Sequence, residues 1–185
     1  MTAPSYKSVS LDSLALLGLA AVLWFAFVWQ LLYRELPCPL CLLQRAAFGM
    51  AGIGLLMNLR FGERPMHWGV VVLSALGGVV SSARQVLLHI APDDPGYGSP
   101  FLGVHFYTWA LLAFVVLLVY CGLRLLLGDA VEDDAVPRRL DVPGRLAAVA
   151  FVAVLAINVV STTLECGLGA CPDNPTDYLW LKGGD

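Results

Sequence analysis

The sequence predicts an all-α polytopic membrane bundle, and three observations carry that prediction. Of 185 residues, 58% are hydrophobic and only 14% are charged, whereas soluble domains average about 45–50% and about 25%. The apolar residues gather into five long stretches, each near the roughly 20 residues that cross a bilayer core. Charge is almost absent inside those stretches.

The first stretch, residues 13–33, has no charged side chain. It is too long for the apolar region of a signal peptide, and no small-x-small cleavage pattern follows it, so it reads as a retained span. The second, 42–59, has its one charge, Arg45, at its start beside Gln44. The third, 66–89, carries Arg84 near its end, and the fourth, 104–125, carries Arg124 at its end. The fifth, 146–164, is uncharged. Internal Gly and Pro count little against spanning helices. The polar connection 128–144, with Pro137 and Pro143, reads as a flexible loop. The whole chain, 1–185, is expected to be one integral membrane domain with a tail at 165–185. A net charge of −3 and the lack of a basic cluster argue against nucleic acid as a partner.

Lys and Arg set the expected orientation. With the N-terminus cytoplasmic, Lys7, Arg60, Arg64, Arg124, Arg138, Arg139 and Arg145 lie on the cytoplasmic side. Arg34, Arg45 and Lys182 lie outside, with Arg84 near that interface. The loop 90–103 has neither Lys nor Arg. Trp29, Tyr33, Tyr107, Trp109, Tyr178 and Trp180 would form an outer aromatic belt. Five spans then place the tail outside, so Cys38, Cys41, Cys166 and Cys171 share one compartment. Cys121, inside the fourth span, reads as a small buried apolar residue.

Cys38-Pro39-Leu40-Cys41 carries the most chemistry. Two intervening residues let one turn bring the sulfurs into bonding range. Pro39 suits the first helical position, which puts Cys38 at the N-cap and Cys41 in the first turn, where the helix dipole favours a thiolate. Arg45 is four residues beyond Cys41 and shares its face. A redox-active pair, a static disulfide and a zinc site completed by Cys166 and Cys171 all fit these residues. An oxidising compartment weighs against the metal. Covalent haem needs His directly after the motif, and Leu42 stands there.

Cys38-Pro-Leu-Cys41-Leu-Leu-Gln-Arg45 at the outer start of a second span resembles the disulfide bond formation protein B (DsbB) family. Ala83-Arg84-Gln85-Val86, followed by His89, is similar to that family's third helix. The resemblance covers roughly residues 14–127, a four-helix core to which this chain adds a fifth helix. It implies a multi-pass protein of the bacterial inner membrane that reoxidises a periplasmic thioredoxin-fold protein resembling DsbA. It also implies a quinone, ubiquinone or menaquinone, as electron acceptor. Cys41 would meet the quinone, Arg45 would lie at its head group with His89 as a neighbour, and Cys38 would exchange with a second cysteine pair.

The family usually carries that second pair between the third and fourth spans, but the loop 90–103 has no cysteine. Cys166 and Cys171, just after the fifth span, are the expected replacement, with Gly167 and Gly169 allowing a small ring. The alternative is a local staple that orders the tail. Gln85 and His89 share a helical face that would line the quinone pocket, with Arg84 and Gln44 as further candidates. An interfacial His and a snorkelling Arg are the plainer reading of His89 and Arg84. Asn158 and Ser161–Thr163 of the fifth span are expected to pack or hydrogen-bond against neighbouring helices. The rival functions are a quinol-linked disulfide reductase on the same residues and a non-enzymatic scaffold or transport subunit with structural disulfides.

Overall fold

The computed structural model describes residues 6–127, 139–167 and 169–181, with side chains from Leu11 onward. The helices are α1 (Tyr6–Tyr33), α2 (Pro39–Phe61), α3 (Pro65–Leu88), α4 (Phe106–Leu127) and α5 (Val142–Cys166). All five are long and apolar enough to cross a membrane. Among the described residues there is no strand, only an isolated bridge between Phe101 and Val104. Most of the predicted 128–144 loop lies outside the described residues, as do Arg138, Lys182 and the side chain of Lys7.

The helix starts differ from the hydropathy boundaries because caps set them. α2 begins at Pro39, and Cys38 is its N-cap with extended backbone (φ −67°, ψ 164°). α5 begins at Val142, with Pro143 in its first turn and the Asp141 carboxylate accepting the Gly144 N–H at 2.9 Å. Proline at a helix start replaces an N–H that would have no intrahelical partner, so residues that look like loop in a hydropathy plot open the helix. α4 starts at Phe106, two residues late, because Leu102 and Gly103 both hold positive φ in the turn closed by the Phe101–Val104 bridge.

The helices pack in the order α4, α3, α2, α1, α5, with α5 also reaching α2. Small residues set the closest approaches, as is usual between spanning helices. A Cβ at Gly78 would lie 2.3 Å from the Phe114 ring, and one at Gly52 would lie 2.2 Å from Phe151. Phe114 thereby reaches Phe48 and stacks on it with ring centres 3.9 Å apart. α1 and α4 are joined at the end opposite the cysteines. There the buried Asp12 carboxylate accepts hydrogen bonds from Tyr120 and, at 2.6 Å, from Arg124, which also pairs with Glu63. Toward the cysteine end the same two helices stand on either side of a cavity.

Candidate functional site

The first turn of α2 forms the centre of the site. The Cys38 and Cys41 sulfurs are 2.7 Å apart, and the Cys41 N–H donates to the Cys38 sulfur at 3.3 Å. Gln85 of α3 is buried beneath them. Its Nε2 donates to Cys38 at 3.2 Å and to Cys41 at 3.5 Å, while its Oε1 accepts from Gln44 Nε2 at 2.8 Å. The hydrogen bond from the Cys41 thiol leads the lowering of Cys38 from an ordinary 9.0 to about 7, and the Cys41 N–H and Gln85 assist against burial. Cys38 is therefore the sulfur best prepared to be a thiolate near neutral pH.

Arg45 does not hydrogen-bond to Cys41. Its guanidinium donates to Gln30 Oε1 at 2.7 Å, to Asn158 Oδ1 at 3.1 Å and to the Ala26 carbonyl at 3.2 Å. It spans from α1 to α5, still within electrostatic range of both cysteines. Gln30 continues the network, its Nε2 donating to Ser161 at 3.1 Å and to the Tyr178 hydroxyl at 2.8 Å. Hydropathy alone does not single out Gln30, a polar amide deep in an apolar run. Its rarity there was the available signal, since intramembrane polar groups usually have a task.

Cys41, Gln44 and Arg45 form part of the wall of a cavity of about 680 Å³ between α1 and α4. Trp29 and Phe25 of α1, Tyr107 of α4, and Tyr97 and Phe101 of the 90–103 loop supply much of the rest, which is mostly apolar. Val22, Phe25, Leu112 and Val116 line it and are also exposed on the bundle's flank, so it opens sideways. The loop closes the cysteine end. The Tyr97 hydroxyl donates to the Leu36 carbonyl at 2.7 Å, and Ser99 N–H donates to Glu35 at 2.9 Å. Burial raises the Tyr97 phenol, which keeps it a donor.

The structure thus brings Cys38, Cys41, Gln44, Gln85 and Arg45 together. It sets His89 behind the wall. His89 caps α3, its Nδ1 lies 2.9 Å from Asp94 Oδ1, and its ring stacks on Tyr107. The Gly96 N–H and then His89 hold the Asp94 carboxyl below its ordinary range. Arg84 is not at the cavity; it is exposed on the outside of α3. The next residue, Gln85, points inward, and consecutive helical residues diverge by about 100°; it meets the two sulfurs and is not itself part of the cavity wall. Two of the proposed belt aromatics also turn inward, with Tyr107 buried and Tyr178 bonded to Gln30.

The second cysteine pair lies at the same end. Cys166, the last residue of α5, is buried and forms a disulfide with Cys171 across a Cα–Cα distance of 4.5 Å. A four-thiolate zinc site would require that bond to be reduced. Gly167 takes a positive φ of 65°, and a Cβ there would lie 3.0 Å from the Trp180 indole. The tail folds back over the helix end, Leu179 and Trp180 donating their N–H groups to the Glu165 and Leu164 carbonyls.

The family model for disulfide bond formation protein DsbB matches residues 10–99, which include Cys38 and Cys41 but neither Cys166 nor Cys171. Disulfide bond formation protein B of Chromobacterium violaceum is 35% identical over 107 residues, covering 52% of this chain and 63% of that protein. Disulfide bond formation protein B 1 of Pseudomonas putida is 31% identical over 147 residues, covering 60% of this chain and 88% of that protein. The Nitrosomonas eutropha protein of the same name is 31% identical over 84 residues, 43% of this chain and 52% of its own length. The chain thus spans between about half and two thirds of the Nitrosomonas and Chromobacterium relatives. No solved structure matches the chain.

Proposed function

The chain belongs to the disulfide bond formation protein B family, and from that membership we propose that it is a thiol:quinone oxidoreductase of the bacterial inner membrane. It reoxidises a periplasmic dithiol protein, of the DsbA-like thioredoxin-fold type, and passes the electrons to ubiquinone or menaquinone. The N-terminus is cytoplasmic, and the cysteine end faces the periplasm. One observation carries this reading: Cys41 lies in the wall of an apolar, laterally open cavity, with Arg45 and Gln44 beside it.

The residues present fit a quinone. The cavity is within the usual size range for small-molecule sites, mostly apolar with a few polar groups. The indole Nε1 of Trp29, in the same wall, is buried without a hydrogen-bond partner. A bound quinone would supply a two-electron, two-proton acceptor.

The protein's own steps are thiol–disulfide exchanges. The partner's dithiol reduces Cys166–Cys171. One thiolate of that pair attacks the Cys38 sulfur of the Cys38–Cys41 disulfide, and Cys41 leaves. The second thiolate then re-forms Cys166–Cys171, and Cys38 leaves as the thiolate favoured by Cys41 and Gln85. When Cys38 and Cys41 rejoin, two electrons and two protons depart to the acceptor. Arg45 offsets the negative charge that appears at the pair during this cycle, and its bonds to Gln30 and Asn158 hold it in place.

The test is quinone-dependent oxidation of a protein dithiol by the full-length protein. Cys38→Ser and Cys41→Ser should each reduce the rate at least about 1,000-fold, as loss of a covalent-catalysis nucleophile does; full activity in either rejects the oxidase reading. Cys166→Ser should also be inactive with protein substrates. Full activity there leaves the oxidase intact and makes Cys166–Cys171 a staple for the tail.

A further inference from the structure

Glu165, the penultimate residue of α5, is fully buried, and neither of its carboxylate oxygens has a hydrogen-bond partner. It lies one turn beyond Ser161 on the same helical face, the face that bonds to Gln30. A buried carboxylate without donors is unfavourable unless a cation compensates it. Among the described residues, the cation within its electrostatic reach is Arg45, and Cys38 and Tyr97 are ionisable groups coupled to it. Arg45 in turn feels Cys41, Glu165, Tyr178 and Cys38, while its hydrogen bonds go to the neutral oxygens of Gln30, Asn158 and Ala26.

Among the described residues, the charged and titratable surroundings of Glu165 are few. α2 presents Arg45 and, at its N-cap, Cys38. The 90–103 loop presents Tyr97, which also feels Glu35 beyond it. The tail presents Tyr178, and α1 offers the neutral Gln30. One buried guanidinium therefore serves Cys38, Cys41 and Glu165, besides the phenol of Tyr178. It can balance one negative charge, and a second would remain uncompensated in a poorly solvated site.

We propose that Glu165 is the proton-accepting counterpart of the Cys38–Cys41 pair, ionised against Arg45 while the cysteines are a disulfide and protonated once they are reduced. This rests on the redox role given to Cys38 and Cys41 above. On reduction the Cys38–Cys41 bond breaks with two electrons from the Cys166–Cys171 dithiol. One proton goes to the Cys41 sulfur, the other to the Glu165 carboxylate, and Cys38 remains a thiolate balanced by Arg45. When the Cys38–Cys41 bond re-forms, both protons leave with the two electrons for the acceptor, and Glu165 is again ionised against Arg45. Glu165 acts through Arg45 and is a positioning residue for charge.

The experiment measures the equilibrium between Cys38–Cys41 and a dithiol buffer against pH, above about 7 where Cys38 is a thiolate. Full-length protein in lipid nanodiscs is trapped by alkylation, and the peptide bearing both cysteines is read by mass. The wild type should bind two protons per two electrons, so its potential falls about 59 mV per pH unit in step with the dithiol buffer's and the exchange constant stays level. Glu165→Gln should bind one, its potential falling only about 30 mV per unit, so its exchange constant drifts about 10-fold per unit against the buffer. Glu165→Asp should restore the steeper dependence of the potential. Equal dependence in wild type and Glu165→Gln overturns the proposal. Infrared difference spectra of the wild type give a second reading that needs no variant. A protonated carboxyl band should appear on reduction, and its absence also overturns the proposal. Full oxidase activity in Cys38→Ser would overturn the underlying function as well, in an assay separate from the proton count.

Discussion

Gln85 is the residue whose effect is most local. It donates to both sulfurs, is itself fixed by Gln44, and helps to hold Cys38 near 7 against an ordinary 9.0. Because the value is depressed, the thiolate predominates above about pH 7 and is lost as pH falls through it. Gln85→Leu removes the donor and leaves the shape. The ultraviolet thiolate titration of the reduced protein should then move upward by about one unit, lowering the thiolate fraction at lower pH up to about tenfold. An unchanged midpoint would assign the whole shift to Cys41 and the helix end. This residue was legible beforehand as part of a polar face, because Gln85 and His89 are four apart. Arg84 was misplaced for a related reason: a run of polar residues near a helix end does not reveal which one points inward.

At the scale of elements, α2 and α3 are joined at the cysteine end through Gln44, Gln85 and the two sulfurs, and glycine sets how closely helices approach. Gly78 admits the Phe114 ring, which in turn stacks on Phe48 beside the cavity. Gly78→Val should displace that stack, lowering thermal stability in detergent by about 1–3 kcal/mol, the usual cost of overpacking. It should also weaken quinone binding, read as a raised KM, with the thiolate titration unchanged. The spans themselves were visible in hydropathy, because bilayer thickness imposes length and composition directly. The first turns of α2 and α5 were less so. Pro39 and Pro143 depress a hydropathy window while favouring the helix start. The 90–103 loop looked like turn residues alone, yet Tyr97 and Ser99 dock it onto Leu36 and Glu35. Those contacts join residues some sixty positions apart, beyond the reach of local pattern.

For the molecule as a whole, α1 and α4 are tied at one end and separated by the cavity at the other. The tie is Asp12 with Tyr120 and Arg124, and both Asp12 and Arg124 are largely withdrawn from solvent. Asp12→Asn should cost about 3–5 kcal/mol in thermal unfolding, as removal of one partner from a buried pair does. The Cys38–Cys41 equilibrium at fixed pH should stay where it is, since the tie lies at the opposite end. A shift in that equilibrium would mean that the two ends are coupled. The five spans and both cysteine pairs are legible in the sequence, where α5 reads mainly as a carrier for the second pair. In the fold, Asn158, Ser161 and Glu165 of α5 reach back to the Arg45 network. Nothing in an apolar helix pattern states which neighbour such residues will meet.

The sideways opening between α1 and α4 changes what concentration means for this protein. A lipophilic acceptor entering there never leaves the leaflet. Its encounter rate follows its mole fraction among neighbouring lipids and its lateral diffusion, not its molarity in the suspension. Diluting the protein with detergent would starve it even at constant total acceptor, and packing more lipid around each molecule would do the same. Crowding by other membrane proteins at the α1–α4 flank would obstruct traffic without touching a single cysteine.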